Sequence, residues 1–310
     1  MPASVIPERS PGRDYGNWMT RRLPLINSTI AFALALLVMI TLHELAHGVA
    51  AVGFGFRPVI HASTETDPAT AVGTQVTILL AGPVWSLISG LVVLALPQVP
   101  VRHAFWRLAV LWFGLVSVQE FSGYLVVGAF TSVGDIGTVH KLLDTPLWIK
   151  IIVLLIGVAL MYLTSRVAIA RLLQLTDPAA AMPSQLRSLG LFGWLVGVVI
   201  AVVVSIPTFE ASADGLLEVL GTIAAGSFLV FVRVVMRRLQ VQHVSPSFGW
   251  PVIGIACLVV VALIGSSSSG PASPCSTSHR WIAVRHGARR FGVRAGLLEV
   301  ITPATSSRCV

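Results

Sequence analysis

An all-α, polytopic membrane protein with about seven transmembrane helices is the fold class that the sequence predicts, and three observations predict it. First, 55% of its 310 residues are hydrophobic and only 11% are charged, with a mean hydropathy of +0.84. A water-soluble domain needs far more polar surface than that. Second, apolar runs long enough to cross a bilayer recur along the chain. Third, the first of these runs, over 30–51, is interrupted by one ionisable cluster, His43-Glu44-Leu45-Ala46-His47. Ionisable side chains inside a span are costly, so such a cluster marks a functional site.

Taken in order, residues 1–27 are polar, contain Pro and carry Arg9, Arg13, Arg21 and Arg22. They read as a flexible basic leader. No cleavable signal peptide is expected, because the first apolar run follows this long polar stretch and exceeds the usual apolar core of such a peptide. Span one covers 28–52. Residues 53–72, with Gly53, Gly55, Pro58, His61, Glu65 and Asp67, predict a loop or short hairpin at the mouth of the site, where His61 is a weak ligand candidate.

Span two covers 73–96 and contains Ala81-Gly82-Pro83. Pro removes a backbone donor and Gly removes bulk, so a kinked, closely packed helix is expected there. Span three, 105–129, carries Gln119-Glu120 in an apolar context. Glu120 reads as a second-layer partner, a substrate-binding group, a metal ligand or one half of an ion pair. Gly134-Asp135-Ile136-Gly137 follows, then His140. The flanking glycines suggest a helix break at which a short carboxylate can turn inward. Span four covers 147–165. Three further apolar runs, near 189–207, 215–235 and 250–265, hold no clustered ligands and read as an accessory membrane domain over 189–265. Ser266–Gly270 opens a basic tail over 266–310, expected to be disordered or in contact with lipid.

The chemistry lies in the first half, a core over 28–174. On a helix, His43 and His47 stand at i and i+4, so their imidazoles project from one face a turn apart and can share one metal ion. Glu44 sits beside them, where a carboxylate can take a proton from water activated by that ion. This is the His-Glu-x-x-His pattern of zinc hydrolases. Two His leave a catalytic zinc short of its third protein ligand. Asp135 is the first choice for that place, with His140 and Glu120 behind it.

The remaining composition narrows the function further. The net charge of +8 comes mainly from Arg in loops and the tail. In a membrane protein this reads as orientation and contact with anionic lipid, with no nucleic-acid surface. Cys257, Cys275 and Cys309 have neither a metal-binding spacing nor an even disulfide framework. Counting basic residues on alternate connections favours a cytoplasmic N-terminus: eleven Arg fall inside, against Arg57 and Lys141 outside before the tail. That orientation puts the His pair in the outer half of the bilayer.

With these residues in place, the chain resembles the site-2 protease family of intramembrane zinc metalloproteases, over 30–135. The resemblance rests on HELAH within a span, on Ala81-Gly82-Pro83 with Ser86 where the family usually has Asn, and on Gly134-Asp135-Ile136-Gly137 as a weakened Asp-Gly motif. The family's usual Asn-x-x-Pro ahead of that motif is absent. The resemblance implies zinc held by His43, His47 and Asp135, Glu44 as general base and acid, a transmembrane protein as substrate, and a site nearer the cytosol. The plasma membrane is the expected location. Two other readings stay open: a non-catalytic relative that binds membrane partners, and a metal or proton transporter using His43, Glu44, His47 and Glu120.

Overall fold

A computed structural model of the chain describes residues 12–56, 59–60, 65–66, 71–96, 103–176, 182–205, 226, 229 and 247–268. Its helices are α1 (Gly12–Gly53), α2 (Val72–Ala95), α3 (Ala104–Gly128), α4 (Gly134–Leu142), α5 (Leu147–Gln174), α6 (Met182–Leu186), α7 (Gly193–Ser205) and α8 (Val252–Ser268). A π-helical turn, Arg187–Phe192, joins α6 to α7. Two short strands, β1 (Val59–Ile60) and β2 (Glu65–Thr66), pair antiparallel after α1, with Val59 opposite Thr66. Of the loop or short hairpin expected over 53–72, the hairpin pairing is present.

Among the described residues, five helical segments are long and apolar enough to cross a membrane: Arg22–Gly53, Val72–Ala95, Ala104–Gly128, Leu147–Gln174 and Ser184–Ser205. They match five of the seven expected spans. The run near 215–235 lies outside the described residues apart from 226 and 229, and the seventh run forms the shorter α8. The tail from 269 onward and His61 also lie outside them.

Three boundaries differ from expectation, the first being that α8 runs to Ser268, past the expected start of the tail at 266. Helix α1 begins at Gly12 and takes Pro24 into its interior, so the second half of the expected flexible leader is helical. A proline costs one backbone hydrogen bond, which a long helix tolerates. Likewise α5 runs on to Gln174 through Arg166 and Arg171, past residue 165 where span four is expected to end. A helix C-terminus favours cations, and their aliphatic stems can lie along the apolar surface.

Contacts between the helices fix their directions. Ser28 meets Trp112 and His43 meets Tyr124, so α1 and α3 run the same way. Gly90 lies against Ser117 while Leu94 lies against Gly114, so α2 runs opposite to α3. These approaches need small residues. A Cβ on Gly90 would stand 2.9 Å from the Gly114 carbonyl oxygen, and one on Gly157 of α5 would stand 3.0 Å from that of Ser122. In lipid, where burying an apolar side chain against protein gains little, such close backbone packing is what holds helices together.

The core is built from one stripe on each helix: Phe32, Leu36 and Met39 on α1, Leu108, Trp112 and Leu115 on α3, and Ile169 and Leu172 on α5. The spacings i, i+4 and i+7 on α1 and α3, and i, i+3 on α5, put each stripe on one helical face. Trp112 stacks edge-on against Phe32 and donates its indole N–H to Ser28 Oγ at 2.9 Å. Ser28 in turn donates to the Leu189 carbonyl in the π-helical turn, so one hydroxyl ties α1, α3 and the later helices together. The accessory helices pack onto α1: a Cβ on Gly197 would stand 3.0 Å from the Thr29 carbonyl oxygen, and Gly254 of α8 lies against Phe105 and Ile30. Trp112→Ala is expected to cost about 3–5 kcal/mol, visible as a lowered melting temperature of the detergent-solubilised protein.

Candidate metal centre

Helix α1 carries His43 and His47 to the bundle interior, where both are buried. The two rings meet edge to face, with centroids 4.8 Å apart, and their Nε2 atoms are 3.1 Å apart. Asp135, the second residue of α4, points its carboxylate at both: Oδ2 lies 3.0 Å from His43 Nε2 and 3.4 Å from His47 Nε2. The three atoms form a triangle with edges of 3.0, 3.1 and 3.4 Å. Ligands bound to zinc at 2.0–2.1 Å in tetrahedral geometry stand about 3.3–3.4 Å apart. The triangle is close in size to one face of such a tetrahedron.

Proton bookkeeping leads to the same place. His47 Nδ1 is 2.8 Å from the Ile78 carbonyl oxygen. A carbonyl only accepts, so Nδ1 carries the hydrogen, and in the neutral ring Nε2 presents a lone pair. His43 Nδ1 is 3.1 Å from Ser86 Oγ, a partner for the nitrogen that faces away from the triangle. Such outer hydrogen bonds orient metal-binding imidazoles. Burial works against ionising Asp135, but Nε2–H donation from protonated His43 and then His47 would outweigh it and hold the carboxyl at about 2. A carboxylate and two imidazole nitrogens thus converge on one point, which requires a cation or added protons.

Helix α2 supplies the space. Gly82 and Ser86 are both buried and lie one turn apart. A Cβ at position 82 would stand 2.7 Å from His43 Nε2 and closer still to His47 Nε2. Only glycine leaves this corner free. Helix α4 is placed by two more glycines. Gly134 has φ +70°, a left-handed conformation that penalises any side chain. A Cβ on Gly137 would stand 2.6 Å from the Thr131 carbonyl oxygen, so α4 can turn back tightly after α3 and present Asp135.

Glu44 is partly buried beside the pair. His43, Glu44 and His47 each offer one ligand atom, all within 4.8 Å of one another, and this group could hold a metal ion. Two carboxylates therefore compete for the third position. Asp135, outside that group, comes within 3.0 Å and 3.4 Å of the two nitrogens.

The structure thus brings His43, Glu44, His47 and Asp135 together. His140, the runner-up ligand, is buried on α4 with Nε2 unpartnered among the described residues, and it is not part of the His43-Glu44-His47 group. Burial, and then the nearby Lys150, push its pKa down. Glu120 hydrogen-bonds with Tyr124, whose ring stacks on His43, and its charge lies within reach of His43. Sequence reasoning missed Tyr124; the one available signal was a polar pair at i, i+4 on an otherwise apolar helix.

No protein-family model, curated protein or solved structure matches the chain. The functional reading therefore rests on the residues themselves.

Proposed function

We propose that this chain is an intramembrane zinc metalloprotease that hydrolyses peptide bonds of membrane-embedded substrates. The observation that carries the reading is the triangle of His43 Nε2, His47 Nε2 and Asp135 Oδ2, with Glu44 beside it. His43, His47 and Asp135 would hold the ion. Bound there, zinc supplies Lewis acidity toward water and toward a substrate carbonyl. Glu44 takes the proton from water as it attacks and delivers it to the leaving amine. Ser86 and the Ile78 carbonyl hold the imidazoles in register, and Gly82 keeps the approach open.

The depth of the site supports a membrane substrate. His43 and His47 lie about 9–15 Å along α1 from its C-terminal end, at a rise of 1.5 Å per residue, inside a segment apolar enough to span. A substrate helix has to unwind there, because its carbonyls are otherwise engaged in hydrogen bonds.

The metal content of detergent-purified protein tests the ligand set. About one zinc per chain is expected in the wild type, and loss in both His43→Ala and Asp135→Ala. Wild type without metal overturns the reading. Zinc retained in Asp135→Ala but lost in His43→Ala hands the third position to Glu44.

A further inference from the structure

Tyr124 stands between two of these ligands. Its ring stacks on one face of His43, with centroids 5.7 Å apart and planes 16° apart. Its edge meets the backbone that delivers Asp135: a Cβ on Gly134 would stand 3.0 Å from Tyr124 Cε1. One turn earlier on α3, Glu120 accepts a hydrogen bond from the Tyr124 hydroxyl. An imidazole whose Nε2 lone pair must point at an ion needs two restraints. One must act in the ring plane and one on its face, or the ring tilts and the lone pair swings away. Ser86 at Nδ1 supplies the first, and the Tyr124 ring lies where the second is required.

We propose that Tyr124, braced by Glu120, is the positioning residue of the metal centre: one ring sets the plane of His43 on α1 and spaces the Gly134 backbone that presents Asp135 on α4. This inference rests on the metalloprotease reading above. Glu120 then acts through Tyr124 and is neither a ligand nor a proton carrier. The ring matters more than the hydroxyl, because the stacked face meets His43 while the hydroxyl only anchors it.

The test compares zinc affinity and the visible spectrum of the cobalt-substituted protein in detergent, for wild type, Tyr124→Phe, Tyr124→Leu and Glu120→Gln. Tyr124→Phe keeps the ring and is expected to bind zinc within about threefold of wild type, with the same cobalt bands. Tyr124→Leu fills much of the volume without a stacking face. It is expected to lose about 10–100-fold in zinc affinity, the range for outer-layer partners of a metal site, and to shift the cobalt bands. Glu120→Gln still offers an acceptor oxygen and should keep full stoichiometry. If Tyr124→Leu does not fold, Tyr124→Met gives the same comparison.

Tyr124→Leu (or Tyr124→Met) binding zinc as wild type does, with unchanged cobalt bands, overturns the inference while leaving the metal site standing. Tyr124→Phe failing as badly as Tyr124→Leu overturns it too, as does loss of metal from Glu120→Gln, which would make Glu120 a ligand. A wild type that binds no metal brings down the protease reading and this inference together.

Discussion

Glu44→Gln is expected to lower peptide cleavage by about a hundred- to ten-thousandfold, the usual contribution of general acid–base catalysis, while zinc content stays at the wild-type level. The amide has nearly the shape of the carboxylate and cannot take a proton from water. His43, His47 and Asp135 form their triangle without Glu44, so the ion should remain. Cleavage of a membrane-embedded peptide in detergent, measured beside metal content, separates the outcomes. Undiminished cleavage removes Glu44 from the mechanism. Zinc lost along with cleavage makes it a ligand. Intact biological function with no cleavage by either protein favours the non-catalytic binding protein.

The second large effect is expected at a residue with no side chain. Gly82→Ala places a methyl group 2.7 Å from His43 Nε2 and closer to His47 Nε2, in the corner where an ion and its open position have to fit. Helix α2 has little freedom to retreat, because Gly90 two turns on is already pressed against α3. Zinc affinity should fall by at least about tenfold, as for other disturbances next to a metal site. Gly73→Ala on the same helix meets nothing within 4 Å and serves as the control, with unchanged zinc. Equal zinc in the two variants would mean that the corner beside Gly82 is not where the ion sits.

Much of this site is legible in the chain because its chemistry is local. His43 and His47 are one helical turn apart, so a pattern read along a single helix already places both rings together. Asp135 is legible for a different reason: glycines on either side announce a break, and a carboxylate at a break can turn inward. The structure agrees, with Gly134 left-handed and Asp135 3.0 Å from His43. Tyr124 is not legible, since its place depends on which face of α3 meets α1. No spacing within α3 says that. The start of α1 and the end of α5 are not legible either, because Pro24, Arg166 and Arg171 read along the chain as breaks in an apolar run. In a long helix, one missing backbone bond or two cations near the C-terminus are tolerable.

The separation of Asp135 from His43, 92 residues along the chain, governs when such a centre can first exist. Both imidazoles are present once α1 has been made, but the carboxylate arrives only after α2 and α3 have been inserted and α4 has turned back. A nascent chain carrying the first three helices holds His43, Glu44 and His47 but not Asp135. The full set of candidate ligands is thus assembled only with α4, ahead of the last core helix, α5.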